Sequence, residues 1–205
     1  MQALIEALRK RGPELAARSI EDMYRDPFWL RRFGERGRAF ADQDGQHHLH
    51  HLTQALLNQS PAILTGYARW LQGVLAARGM CSEHIRENFA RMSRVIAEAA
   101  LPGWEAAQKY LATAQEALLY PPGPAREVQD LAERVASAVS AAARREAVLL
   151  ASYLADAVHL KDPSLFAKHV AWLRGQKYVH TDEVLRALAR ESLPAAARKT
   201  LEAAS

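Results

Sequence analysis

The chain repeats itself at one fixed distance. Leu52-Thr53-Gln54-Ala55, followed by Pro61, Leu64 and Trp70-Leu71, is answered by Leu154-Ala155-Asp156-Ala157, followed by Pro163, Phe166 and Trp172-Leu173. Positions 154 and 52, 163 and 61, and 172 and 70 all differ by 102, and the residues matching Leu52, Ala55, Pro61, Trp70 and Leu71 are identical. The punctuation is in phase too, since Ser60-Pro61 answers Asp162-Pro163. A short polar side chain before proline is a helix start: the side chain accepts an orphan N–H, and proline has none to lose. Caps, proline and tryptophan sharing one offset predict a duplicated unit rather than two helix pairs with generic punctuation. The second copy is expected to lack about three residues before its next cap, where Thr181 stands for Ser82.

Within each copy the apolar period is helical. Leu64, Tyr67, Leu71 and Val74 share a face, as do Ile85, Phe89, Met92 and Ile96, and then Ala107, Leu111, Ala114 and Leu118. Gly79 ends one of these helices and Leu101-Pro102-Gly103 another. Pro121-Pro122-Gly123-Pro124 cannot be helical and reads as a linker. From 125 to about 159 no breaker occurs, which predicts one long helix or two nearly collinear ones. The N-terminal region reads as helices over 1–10 and 13–24, with a break at Asp26-Pro27. No segment alternates with period two long enough to suggest a strand. The expected fold is therefore all-α, a helical bundle of two diverged tandem repeats with a pseudo-twofold relation. The expected organisation is a first unit at 1–120, a linker at 121–124 and a shorter second unit at 125–205, packed as one body.

Composition removes several function classes. Lysine and arginine number 27 against 23 acids, a net charge of +4, and the arginines interleave with glutamates, as at Arg126, Glu127, Glu133 and Arg134. That pattern describes a solvated, salt-bridged surface rather than the one-sided basic face of a nucleic-acid binder. Cys81 is the sole cysteine, so no internal disulfide can form. The amphipathic N-terminus is too short for a signal peptide, and no apolar run reaches the ~18 residues of a membrane span. These features predict a cytoplasmic protein with neither nucleic acid nor membrane as partner.

The run His51-Leu52, Ala55-Leu56, Tyr67-Ala68-Arg69-Trp70-Leu71 and Leu75-Ala76-Ala77-Arg78-Gly79 resembles a helical module of bacterial sensory and regulatory proteins, where it often precedes a cobalamin-binding domain. The likeness covers about residues 36–118. It implies a signalling or partner-binding role. The cobalamin signature Asp-x-His-x-x-Gly is absent, so cobalamin binding is not implied here.

The densest polar cluster is Asp42, Asp44, His47, His48, His50 and His51. His47 and His51 are one helical turn apart, a spacing at which two neutral imidazoles can share a metal. The helical wheel turns His47, His50 and His51 away from the Leu49, Leu52, Leu56 stripe and leaves His48 at its edge, where the second copy has Leu150. His48 is thus the histidine expected to be partly buried, with Asp44, one turn earlier, orienting its ring. Trp70 and Trp172 each follow a ring residue by three positions, Tyr67 and His169, and are expected to be buried core or pocket walls. Cys81 precedes a helix start, and with no partner in sight it is expected to be inert. Asp156 and His159 form an i,i+3 pair, but no Glu-x-x-His of a di-iron bundle exists.

Together these features predict a non-enzymatic regulatory or sensory helical protein that binds a protein partner or a small apolar ligand through Asp44, His48, Tyr67 and Trp70. A homodimer is compatible with this reading. The alternative is a metal- or haem-dependent helical bundle, an oxidoreductase for example, using His47 and His51. No catalytic residue and no cofactor are assigned.

Overall fold

The computed structural model describes residues 1–204, which are helices and short connections with no strand among them. The helices are α1 (Gln2–Tyr24), α2 (Pro27–Leu57), α3 (Pro61–Ala76), α4 (Ser82–Glu98), α5 (Trp104–Glu116), α6 (Pro124–Asp130), α7 (Ala132–Ser137), α8 (Arg144–Leu160), α9 (Pro163–Gly175), α10 (Thr181–Arg190) and α11 (Ala195–Ala204). None of these is long and apolar enough to cross a membrane. Contacts divide the chain into two compact units, one of residues 1–70 and 85–117, the other of residues 71–84 and 118–205. The turn between α3 and α4 thus belongs with the second unit, whereas the sequence places it in the first.

In the first unit α1 lies along α2. The sequence predicts a break between residues 10 and 13, but α1 runs through Pro13. Proline removes one N–H, and Leu4, Ile5 and Leu8 before it and Leu15, Ala16 and Ile20 after it are all buried, so packing holds both halves in line. Asp26 starts α2 by accepting the Phe28 amide at 2.9 Å, with Pro27 in the first turn. At Gly34 the backbone leaves the helix (φ 65°, ψ −172°), a conformation costly for any residue with a Cβ. At Gly45 the two helices approach closely: a Cβ there would sit 3.3 Å from that of Ala16. The later part of α2 buries Leu49, Leu52, Ala55 and Leu56, and Phe89, Met92 and Ile96 of α4 are fully buried in this unit.

The second unit is organised around α8, against which α6, α7, α9, α10 and α11 all pack. Residues 149–157 of α8 are buried without interruption. A stretch enclosed on every side must be apolar all round, and this one is, apart from Ser152, Asp156 and the Tyr153 hydroxyl. Neither the single long helix nor the two nearly collinear helices expected over 125–159 are formed. Both α6 and α7 pack back onto α8, which a straight helix could not do. The chain turns at Ser140, whose backbone is extended (φ −57°, ψ 153°). Its N–H and hydroxyl donate to the Glu183 carboxylate at 2.6 and 3.1 Å. Glu183 lies 43 residues away, so the break is dictated by tertiary structure and leaves no breaker residue in the sequence.

Candidate functional site

The first unit holds a chain of rings built on α2, α3 and α4. His48 is buried, with 1% of its surface exposed. Asn88 Nδ2 donates to His48 Nε2 at 3.2 Å, which leaves the ring proton on Nδ1, 2.8 Å from Tyr67 Oη. Phe89 closes the ring's edge, with centroids 5.1 Å apart. Loss of water, reinforced by His47 and His51, pulls the His48 pKa down to about 3, so the imidazole is neutral. His51 lies flat on the Tyr67 ring at 3.9 Å, and Tyr67 in turn adjoins Trp70 at 5.9 Å. Burial, followed by the Asp44 charge, raises the Tyr67 hydroxyl pKa.

These positions correct two expectations. Trp70 is not core: 62% of it is exposed. Leu64, Tyr67, Ala68, Leu71 and Leu75 of α3 are buried and share one arc of the helix. At 100° per residue the middle of that arc lies about 110° from Trp70, beyond the reach of the interior. Asp44 does not orient His48 either, because both ring nitrogens are occupied by Tyr67 and Asn88. Asp44 acts instead on Tyr67 through its charge. His47 and His50 are exposed as expected, while His51 is half-buried by its stack. Asp44, His48, Tyr67 and Trp70 do gather in one place. The signal for Asn88 is faint, since it lies 40 residues from His48 with only helical phase to connect them.

The second unit contains a buried polar station that the sequence does not reveal. Asp156, 1% exposed, accepts the Ser82 amide at 2.7 Å, the Ser82 hydroxyl at 2.6 Å and the Tyr120 hydroxyl at 2.8 Å. Ser152, one turn earlier on α8, accepts the Glu83 amide at 3.1 Å. The first amides of α4 are thus satisfied from α8 instead of by a local cap. No cation opposes Asp156 in this network, and burial outweighs the three hydrogen bonds, pushing its pKa up to about 6. Cys81 is buried beside it. Burial first, then the Asp156 charge, raises the thiol well above its ordinary value, so it is neutral and unreactive at physiological pH, as expected. His159 stacks on the Tyr120 ring at 4.1 Å.

Among the described residues no group of three or more His, Cys, Asp or Glu converges as a metal ion would need. Comparison of the chain with protein-family models, with curated proteins and with solved structures found no match.

Proposed function

We propose that this chain is a non-enzymatic regulatory binding module and that a protein partner docks on the His51–Tyr67–Trp70 shelf. The observation that carries the reading is Trp70, a large indole left 62% exposed at the end of an ordered ring stack. The fold does not need an indole there. Tryptophan concentrates at the energetic centres of interfaces, and a pre-ordered ring loses little entropy on docking. Behind it, His48 held between Tyr67 and Asn88 keeps the stack rigid. The resemblance to sensory and regulatory helical modules supports the same role. The metal alternative keeps the His47–His51 pair, with no third ligand converging on it among the described residues.

The module reads as two diverged copies of one helical unit, and local geometry supports this. The end of α2 closes with Ser60 N–H to Ala55 O (2.9 Å) and Gln59 N–H to Leu56 O (3.2 Å), with Gln59 left-handed. The end of α8 closes with Asp162 N–H to Ala157 O (3.0 Å) and Lys161 N–H to Val158 O (3.4 Å), with Lys161 left-handed. The ring pair recurs as well: Tyr153 stacks on His169 at 3.8 Å, with histidine and tyrosine exchanged relative to His51 and Tyr67. His169 then adjoins Trp172 at 6.0 Å, as Tyr67 adjoins Trp70.

Wild-type protein, Trp70→Ala and, as control, Arg126→Ala on α6 serve as affinity baits in cell extract, followed by direct binding with the recovered partner. A partner held by wild type and control but lost with Trp70→Ala is expected. Equal affinity of Trp70→Ala for every recovered partner would remove the shelf as the docking surface.

A further inference from the structure

The first unit contains a groove of about 340 Å³ between α1 and α2, bordered by Arg9, Gly12 and Pro13 on one side and Gln46, Leu49 and His50 on the other. We propose that it binds a small amphipathic acid, with the ligand's carboxylate on the Arg9 guanidinium and its hydroxyl donating to the Arg9 backbone carbonyl. The inference does not rest on the reading of the Trp70 shelf as a docking surface.

Pro13 lies inside α1, where its nitrogen has no hydrogen to give. The bond that should close onto the Arg9 carbonyl, four residues earlier, cannot form. Arg9 and Pro13 both border the groove, so this gap in the helical ladder opens toward it. A helix carbonyl that has lost its regular donor keeps acceptor capacity for another. Gly12 supplies the room: a Cβ built there meets nothing within 4 Å, although the residue itself is buried. The floor is apolar, since Leu8 and Leu49 are 1% and 3% exposed.

Charge selects an acid. The groove is lined by one arginine and one histidine and by no carboxylate. Arg9 makes no ion pair among the described residues. A cleft of this size with an apolar floor and polar walls suits a small ligand that carries both kinds of surface. Its far wall, His50, meets His51 edge-on at 5.6 Å, so an occupied groove would abut the ring stack.

The test uses the full chain and two probes, 4-hydroxyphenylacetate and phenylacetate, followed by NMR titration of the backbone amides. The hydroxylated probe is expected to shift Leu8, Gly12 and Leu49 saturably, and phenylacetate to bind about tenfold more weakly for want of one hydrogen bond. Pro13→Ala restores the missing N–H and closes the ladder onto the Arg9 carbonyl. It should raise the melting temperature, weaken the hydroxylated probe about tenfold and leave phenylacetate unchanged. Arg9→Gln should weaken both probes. Gly12→Leu, better in a helix than glycine and projecting its side chain into the groove, should stay folded and bind neither. The proposal is overturned by the absence of saturable shifts at millimolar probe, by binding that survives Gly12→Leu, or by Pro13→Ala changing both probes equally.

Discussion

Asp156 accepts the backbone N–H of Ser82 at 2.7 Å from 74 residues away, and so starts α4 from another helix. Two further donors, the Ser82 and Tyr120 hydroxyls, point at the same carboxylate. Asp156→Ala strands all three in a buried place, and each stranded group costs about 1–3 kcal/mol. A loss of at least about 3 kcal/mol is expected from the denaturant midpoint, with Asp156→Asn milder. The pH dependence has a definite sign. The folded pKa, about 6, lies above the ordinary carboxylate value of 3.8, so the folded state holds the proton more tightly. Stability from this group therefore grows as pH falls from 6 toward 3.8, by about 3 kcal/mol, and fades as pH rises through 6. A pH series in which wild type and Asp156→Asn run parallel would contradict this.

His48 acts in the opposite direction. Its pKa of about 3 lies below the ordinary 6.5, so at mildly acid pH the unfolded chain takes up a proton that the folded chain refuses. Stability is lost as pH falls from 6.5 toward 3, by up to about 4–5 kcal/mol. His48→Leu, the residue found at the matching position 150, should flatten that loss. At pH 8 it should cost about 1–3 kcal/mol, because Tyr67 and Asn88 each lose a buried partner. A variant whose stability falls with acid as steeply as wild type would show that His48 is not the group responsible.

The parts legible in the sequence are those fixed by local chemistry. Asp26-Pro27 and Asp162-Pro163 begin helices because aspartate can accept the amide two residues on, and both do so at 2.9 Å. The burial of His48 follows from helical phase beside Leu49 and Leu52. What depends on distant partners is silent: Ser140 bends the chain toward Glu183, and Asp156 is tolerable in α8 only because Ser82 and Tyr120 come to it. Pro13 misleads in the other direction, since a helix-breaking residue is overruled by the buried stripe on both sides. Under the proposed duplication, the two units differ by about one helical turn after α3 and α9. The α3 end closes from Met80 to Leu75 and the α9 end from Tyr178 to Leu173, each at 3.0 Å, so these closures stand 98 residues apart where the helix starts stand 102 apart.

Trp70 and Phe89 should respond oppositely to truncation. Phe89 is fully buried, and Phe89→Ala is expected to cost about 3–5 kcal/mol. Trp70, largely in water, should change stability by no more than about 0.5 kcal/mol. Trp172→Ala should fall between them, since Trp172 is half-buried and stacked on His169. Equilibrium unfolding of the three variants reads this order directly. A Trp70→Ala loss comparable to that of Phe89→Ala would return Trp70 to the core.

The two helix ends that support the proposed duplication make the last prediction. Gln59 (φ 50°) and Lys161 (φ 55°) both hold the left-handed conformation that a side chain disfavours and glycine does not. Both occupy the position just past a helix where glycine is the common choice. Gln59→Gly and Lys161→Gly should therefore each stabilise, by about 1 kcal/mol, less the extra freedom that glycine gives the unfolded chain. Because the turns share the same pair of closing hydrogen bonds, the two gains should be similar in size and should add in the double variant. Thermal unfolding of both singles and the double checks this. A gain at one turn and a loss at the other would mean that the closures differ energetically despite their common geometry, and the case for a shared ancestral turn would then rest on the sequence offset and the ring stacks alone.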